Sequence, residues 1–427
     1  MNRRVKRINY KRRYINKIIF SKFRERYLNK YYPESKKAES LYKKDLEKLS
    51  AKFSNLFFFQ YSLFSEYWFH KNIYNSIILI SEINKFEEQV QQASLNGALF
   101  YLPNHQAHID SLVVAWVANL LRVPQPLFCA WNTLAKRRSA YLMPMVNACL
   151  LDREIMDNRF HCSDPFRNTR KYRVGYTVLL NEYLNRMFSI GIDTIIYPEA
   201  GRSYSGAIGE AKIKSIFKGA RKVQDELGHN KIISVIPLSI SYSLVPEAEQ
   251  LIRSYYNNTI IPPSSLFHNL TDGDNLYGSY RPDYKTKTDF PFIKTFVEKR
   301  IPIFCVIGEP ISLLDNKEIT LYNCFEIVKR NLKILPHYYI AKLLLSDPAG
   351  MAKRWKNSGI NGLIEPARSL RDALYNVNID KAFFDDDGLS DIISIGIEFL
   401  KYGGYISPDG EIRNDKVLEY YSNKISI

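Results

Sequence analysis

The sequence predicts an α/β fold: a mostly parallel central sheet flanked by helices, with further helical regions before and after it. Three observations point there. Short apolar runs recur through the middle of the chain, bounded by turn residues. Helical patterns lie between several of them, the alternation that builds parallel sheets. Both ends of the chain carry helical periodicity instead. The boundaries fall near 95 and 312, giving a basic, aromatic-rich helical region over 1–95, an α/β domain over 96–312 and a helical region over 313–427.

In the first region Ile15, Ile18, Ile19, Phe23 and Leu28 recur near helical spacing among Lys and Arg. Residues 1–30 carry 12 Lys/Arg against the single acid Glu25, so +11 of the chain's +16 sits there. That segment calls for an anionic partner: a membrane surface, a phosphorylated ligand or nucleic acid. The aromatic block Phe57–Phe69 reads as a helix–helix core, with a lipid-touching surface as its alternative.

The texture changes at Gly97. Residues 98–102 form an apolar run ending at Pro103, the signature of a buried strand. Residues 109–121 read as an apolar helix stopped before Pro124. Strand-like runs follow at 127–130, 148–151, 194–197, 232–241 and 303–307, with helical patterns at 172–189 and 209–227. Residues 245–300, with Pro262-Pro263, Asp272-Gly273-Asp274 and Pro291, read as an irregular excursion over the sheet end. Beyond 313 the helical pattern returns, broken by turns at Gly403-Gly404 and Pro408-Asp409-Gly410.

Composition narrows the class. Apolar residues make up 46% and charged residues 24% of 427, which excludes a mostly disordered chain and a multi-span membrane protein. Five scattered cysteines without Cys-x-x-Cys spacing argue against a disulfide framework and a structural zinc site, and point to a reducing compartment. No uncharged apolar run of about 18 residues is present to span a bilayer, and the basic N-terminus lacks the apolar stretch of a secretory signal.

The strongest chemical signal is Asn104-His105-Gln106-Ala107-His108-Ile109-Asp110, between a predicted strand and a predicted helix. On one helix, residues five apart do not face each other. With His105 in the loop and Asp110 inside the first turn, the loop can fold the imidazole onto the carboxylate. That pairs a base with its orienter. Two His and an Asp are also metal-ligand types, although no third imidazole or Cys cluster lies nearby in sequence. Histidines that only cap and pack are the plain alternative. Two further loops tilt the balance. Tyr197-Pro198-Glu199-Ala200-Gly201-Arg202-Ser203 follows a predicted strand and can bring N–H groups and a guanidinium to a phosphate. Leu150-Leu151-Asp152-Arg153 places another Arg at a strand end, where ligands collect in open α/β sheets.

Together these segments resemble the glycerolipid acyltransferases, which act on glycerol-3-phosphate, lysophosphatidate or dihydroxyacetone phosphate. His105-x4-Asp110 is similar to the first block of that family and Leu151-Asp152-Arg153 to the end of the second. Residues 198–203 are similar to the third block, and Ile236-Pro237-Leu238-Ser239-Ile240-Ser241-Tyr242 to the fourth. Gly308-Glu309-Pro310-Ile311 resembles the usual end of the domain, and Leu418–Ile425 a closing element of the large glycerol-3-phosphate enzymes. Two positions depart from the pattern. Ala200 stands where Gly is usual, and Tyr204 where the glycerol-3-phosphate branch often has a second Arg, for which Arg167, Arg170, Lys171 or Arg173 is a possible substitute. Asn104 before His105 is commoner in the lysophosphatidate branch.

The resemblance implies an acyl thioester donor, acyl-CoA or acyl carrier protein, and a glycerol phosphate acceptor, with neither metal nor cofactor. His105 would be the general base, Asp110 its orienter. Arg153 and Arg202 would clamp the acceptor phosphate, with Glu199, Gly201, Ser203 and Pro237 shaping the substrate site. The expected placement is peripheral, on the cytoplasmic face of a membrane, held by the basic segment, with no nucleic acid partner. Rival expectations are a lysophosphatidate or other lysolipid acyltransferase, and a catalytically inactive basic scaffold that binds membrane or nucleic acid.

Overall fold

The computed structural model describes residues 12–52, 76–80, 85–107, 109–132, 143–156, 161–242, 245, 248–256, 302–374, 388–402 and 404–425. His108, the aromatic block 57–69 and most of the 245–300 excursion lie outside the described residues. The helices used below are α1 (Arg12–Phe23), α2 (Lys36–Leu49), α3 (Lys85–Asn96), α4 (Asp110–Leu120), α5 (Arg170–Ser189) and α6 (Lys214–Leu227). They continue as α7 (Ala248–Tyr256), α8 (Leu321–Arg330), α9 (Pro336–Ser346), α10 (Leu389–Tyr402) and α11 (Asp415–Ser422).

The strands are β1 (Ser76–Ile80), β2 (Gly97–Pro103), β3 (Leu127–Trp131), β4 (Ala148–Leu151), β5 (Thr194–Ile195), β6 (Ile232–Tyr242), β7 (Pro302–Ile307) and β8 (Ile311–Ser312). They form one sheet in the order β1-β7-β6-β2-β5-β3-β4, with β8 also paired to β6. From β6 to β4 every pairing is parallel. β7 and β8 run antiparallel to β6, and β1 pairs parallel with β7. The sheet is therefore mostly parallel, as the alternating pattern predicts. β1 is the exception to the sequence reading: Ser76–Ile80 lies inside the region read as helical. A five-residue apolar run has no period of its own, so only its partner decides its state.

The sheet is covered on both faces, which is why its strands read as unbroken apolar runs. Ala98, Phe100 and Leu102 of β2, with Ile233 and Val235 of β6, face a core shared with α1, α2, α5 and α6. Leu99 and Tyr101, with Ile236, Leu238, Ile240 and Tyr242, face a second core shared with α4, α9, α10 and α11. The two-residue alternation of each strand assigns its side chains to the two faces.

The N-terminal helices pack on α5. Ile15, Ile19 and Phe23 are buried one turn apart along α1, so the apolar stripe read from the sequence is spent inside the protein. Lys17, Lys22, Arg24 and Lys30 remain exposed. Ser35 caps α2 by accepting from the Ala38 N–H at 3.3 Å. Tyr42 of α2 stacks on Tyr172 of α5 with centroids 4.3 Å apart. Gly175 makes that approach possible, since a Cβ there would lie 2.1 Å from the Tyr42 hydroxyl. A largely buried ion cluster reinforces the seam. The Arg167 guanidinium pairs with Asp45 of α2 and lies 3.6 Å from Asp152, and the Tyr172 hydroxyl donates to Asp45 at 2.7 Å. Arg167 is thus a partly buried structural cation.

Candidate active site

The ends of the parallel strands converge on one edge of the sheet, and the sequence-predicted residues meet there. Chain leaving β2 passes through Asn104 before turning into α4. The Asn104 side chain clasps the Ile240 backbone of β6 from both sides: its amide donates to the Ile240 carbonyl at 3.0 Å and its oxygen accepts from the Ile240 N–H at 2.7 Å. This fixes the start of the loop on a neighbouring strand. The Asp110 N–H donates to the Ala107 carbonyl at 3.2 Å, closing a turn immediately before the helix.

That turn brings His105 onto Asp110 despite the unfavourable spacing. His105 Nδ1 lies 2.7 Å from Asp110 Oδ2. The same oxygen accepts from the Gln106 N–H at 2.7 Å and the Ala107 N–H at 3.0 Å, while Oδ1 accepts from the Tyr242 hydroxyl. Asp110 has no exposed surface. Its carboxylate is held by four donors at the N-terminus of α4. With Nδ1 so engaged, Nε2 is the nitrogen left to exchange a proton with a substrate. The imidazole stacks on Tyr197, centroids 3.9 Å apart, and the Tyr197 hydroxyl is 2.8 Å from Ser111 Oγ. Burial, then the charge of Asp110, holds the Tyr197 phenol well above its ordinary range, so it stays protonated.

The loop after β5 supplies the opposite wall. Glu199 is buried and tethers two segments, accepting from the His105 N–H at 2.8 Å and the Gly209 N–H at 2.7 Å. Burial raises its pKa, and the two N–H donors work against that rise. The Ser203 N–H donates to the His105 carbonyl at 2.9 Å, and its hydroxyl donates to the Ala207 carbonyl at 2.5 Å. Ser203 therefore shapes the loop from within. Ala200 holds φ +57°, a left-handed conformation at the position where the resemblance expects Gly. Gly201 faces open space. Arg202 is half-buried, its guanidinium over the Tyr204 ring at 5.9 Å.

Two predicted residues lie apart from this cluster. Arg153 is buried at the end of β4, over the Trp131 ring at 5.9 Å. Three strand spacings separate β4 from β2, roughly 14 Å across the sheet. Pro237 sits within β6, level with Leu102 of β2. A proline has no N–H for a ladder, and this one falls where β6 changes partner from β7 to β8. Its carbonyl accepts from the Gly308 N–H at 2.8 Å, so its visible role is in the sheet.

The sequence reading assigned no role to three neighbours of the pair. Tyr242, the last residue of the segment similar to the fourth block, binds Asp110 from the end of β6. Gln106 donates its amide to the Ile240 carbonyl at 3.1 Å. Lys424, just after α11, donates to the Gln106 side-chain oxygen at 2.7 Å. The C-terminal segment also braces the Glu199 loop: Asn423 donates to the Ser205 carbonyl at 3.0 Å, and Gly206, at φ +91°, passes so close to Tyr420 that a Cβ would lie 1.9 Å from its carbonyl. No signal in the local sequence marks these long-range contacts. Among the described residues no group of three metal-ligand side chains is assembled.

The geometry sets an imidazole against a buried carboxylate at the carboxyl edge of an α/β sheet, and comparison with known proteins gives that pair a chemical setting. No family model matches the chain. Over 172 residues, 40% of the chain, it is 27% identical to a glycerol-3-phosphate acyltransferase of Alteromonas mediterranea. Over 193 residues, 45% of the chain, it is 25% identical to the protein of that name from Pseudoalteromonas atlantica. These matches bear out the resemblance to glycerolipid acyltransferases and its leaning toward the glycerol-3-phosphate branch. The matched stretches span only 18% and 21% of the relatives' lengths. A crystal structure of a 1-acyl-sn-glycerophosphate acyltransferase from Thermotoga maritima aligns over 75% of this chain and 97% of its own, at 13% identity and a TM-score of 0.29, too low to bear on function.

Proposed function

We propose that this chain transfers a fatty acyl group from acyl-CoA or acyl carrier protein to the hydroxyl of glycerol-3-phosphate. The observation that carries the reading is the His105–Asp110 contact of 2.7 Å, with the carboxylate fully buried and the imidazole partly exposed. The acceptor hydroxyl gives its proton to His105 Nε2 as its oxygen attacks the thioester carbonyl. The tetrahedral oxyanion collapses, the C–S bond breaks, and the departing thiolate takes the proton back from the imidazolium. Asp110 holds the tautomer and stabilises the transient positive charge. No acyl-enzyme is required. Arg202, beside Ser203 in the loop bonded to His105, is the nearer candidate for the acceptor phosphate; Arg153, three strands away at the end of β4, is the more distant one.

Lys17, Lys22, Arg24 and Lys30, exposed along the N-terminal helices, support a peripheral position on an anionic membrane, on its cytoplasmic face. The test is an acyl-transfer assay that pairs acyl-CoA and acyl carrier protein donors with glycerol-3-phosphate, dihydroxyacetone phosphate and lysophosphatidate. Turnover of glycerol-3-phosphate that vanishes in His105→Ala supports the reading. Preference for lysophosphatidate would move the chain to the other branch, and no turnover with any pair would overturn the reading.

A further inference from the structure

Lys424 is the least expected residue of the site. It is 2% exposed, in an interior where a lone ammonium is costly. Its Nζ donates to Gln106 Oε1 at 2.7 Å and lies over the rings of Tyr420 at 4.6 Å and Tyr338 at 5.6 Å. The Gln106 amide is committed to the Ile240 carbonyl, which leaves its oxygen facing Lys424, and the Gln106 N–H is one of the donors to Asp110. An ammonium from the C-terminal segment is thus one side chain away from the carboxylate that orients the base.

We propose that Lys424 is a positioning residue for the reaction: its buried ammonium fixes Gln106 and the loop behind His105, and its charge, one side chain from Asp110, acts on the base that Asp110 orients. The inference rests on the acyl-transfer reading of the site. The groups that face Lys424 are consistent with it. Asp110 on α4 and Glu199 after β5 favour its charged form, whereas His337 on α9 shares the buried region and is held neutral by burial and by Lys424 itself. Tyr338 and Tyr420 present ring faces, and the Tyr338 hydroxyl donates to the Tyr242 carbonyl at 2.6 Å, joining the same elements. Desolvation is the largest influence on Lys424 and brings its pKa down to about 7, with the two carboxylates opposing. The residue therefore changes charge where the base must work.

The test uses the full chain and Lys424→Met, which keeps length and removes charge. One of the seven histidines, His105, is followed by ring-selective NMR, assigned with His105→Ala. Loss of a nearby cation favours imidazolium, so the His105 titration in Lys424→Met should move to higher pH by about half a unit or more. In the transfer assay the variant should lose about threefold in kcat below pH 7, the drop in free base that a half-unit shift produces, with KM for both substrates little changed. The deficit should shrink above pH 8, where Lys424 of the parent has itself lost its proton. Lys424→Arg, which restores the charge, should recover part of the acid-side activity. An unshifted His105 titration in a folded Lys424→Met, or a deficit independent of pH, would overturn the proposal. If Lys424→Met fails to fold, the parent answers instead. Deprotonation of Lys424, read from its labelled ε-carbon, must be echoed as a second inflection in the His105 signals, and absence of that echo overturns the proposal. Lack of turnover in the parent would sink the functional reading while leaving the NMR arms intact.

Discussion

Asp110→Asn is the most discriminating perturbation, because the site is built so that charge can be removed with little change of shape. Three of the four donors to Asp110, His105 and the N–H groups of Gln106 and Ala107, converge on Oδ2. An asparagine oxygen placed there keeps all three. Its amide then faces the Tyr242 hydroxyl, which can rotate from donor to acceptor. What disappears is the negative charge that meets the imidazolium. Taking charge centres about 4 Å apart and an effective dielectric constant of about 20, that pair is worth about 4 kcal/mol, or about a thousandfold in rate. This falls within the range of about 10²–10⁴ usual for general-base catalysis. Expected is a loss of about 10³ in kcat with KM for acceptor and donor within a few-fold, and a melting temperature close to that of the parent. Thiol release from the acyl donor measures the rates, and calorimetry measures the melting. Activity within threefold of the parent would refute Asp110 as orienter. A collapse of stability equal to that of Asp110→Ala would refute the geometric argument.

Other expectations follow from the same structure. Arg202→Ala should raise KM for the phosphorylated acceptor by roughly 10- to 150-fold, the worth of a charge-assisted contact, with a smaller effect on the donor. Arg153→Ala, farther across the sheet, should do so less, and steady-state kinetics with each substrate varied in turn distinguishes the two. The Lys17→Glu, Lys22→Glu and Lys30→Glu triple variant should leave acidic vesicles while retaining transfer to a soluble acceptor, since each lost cation is worth about 1 kcal/mol near an anionic surface; undiminished sedimentation with vesicles would remove the electrostatic anchor. Deleting residues 12–30 is a poorer test, because Ile15, Ile19 and Phe23 belong to the core. Lys424 is held near pKa 7 in the fold against its ordinary 10.5, so between those values the unfolded chain binds the extra proton and stability rises with pH. Denaturant melts at pH 7 and 10 should show the parent gaining relative to Lys424→Met, on the order of a few kcal/mol.

Much of this architecture was legible because its signals are local. The runs at 98–102, 127–130, 148–151 and 232–241 announce strands buried on both faces, and each appears within a residue or so of its reading. The His105–Asp110 contact could be inferred since loop and helix start are adjacent. Arg167 was not legible: beside Arg170, Lys171 and Arg173 it reads as one charge in a basic stretch, and Asp45 and Asp152, from other parts of the chain, make it a structural cation. Tyr242 and Lys424 escaped for the same reason. Their partners lie more than a hundred residues away, and a hydrogen bond across that distance leaves no periodicity to read.

The edge of the sheet carries a consequence for how the chain reaches this state. β1 finds its only described strand partner in β7, with Ile78 level with Phe304, more than two hundred residues downstream. Contacts of such separation form late, because the loop they close must be ordered first. Until β7 is in place, Ser-Ile-Ile-Leu-Ile is an uncharged, proline-free, β-prone segment with nothing to pair with, the kind that seeks the same segment on another chain. Refolding yield should therefore fall with protein concentration, and Ile78→Lys should lessen that loss even where it weakens the finished sheet.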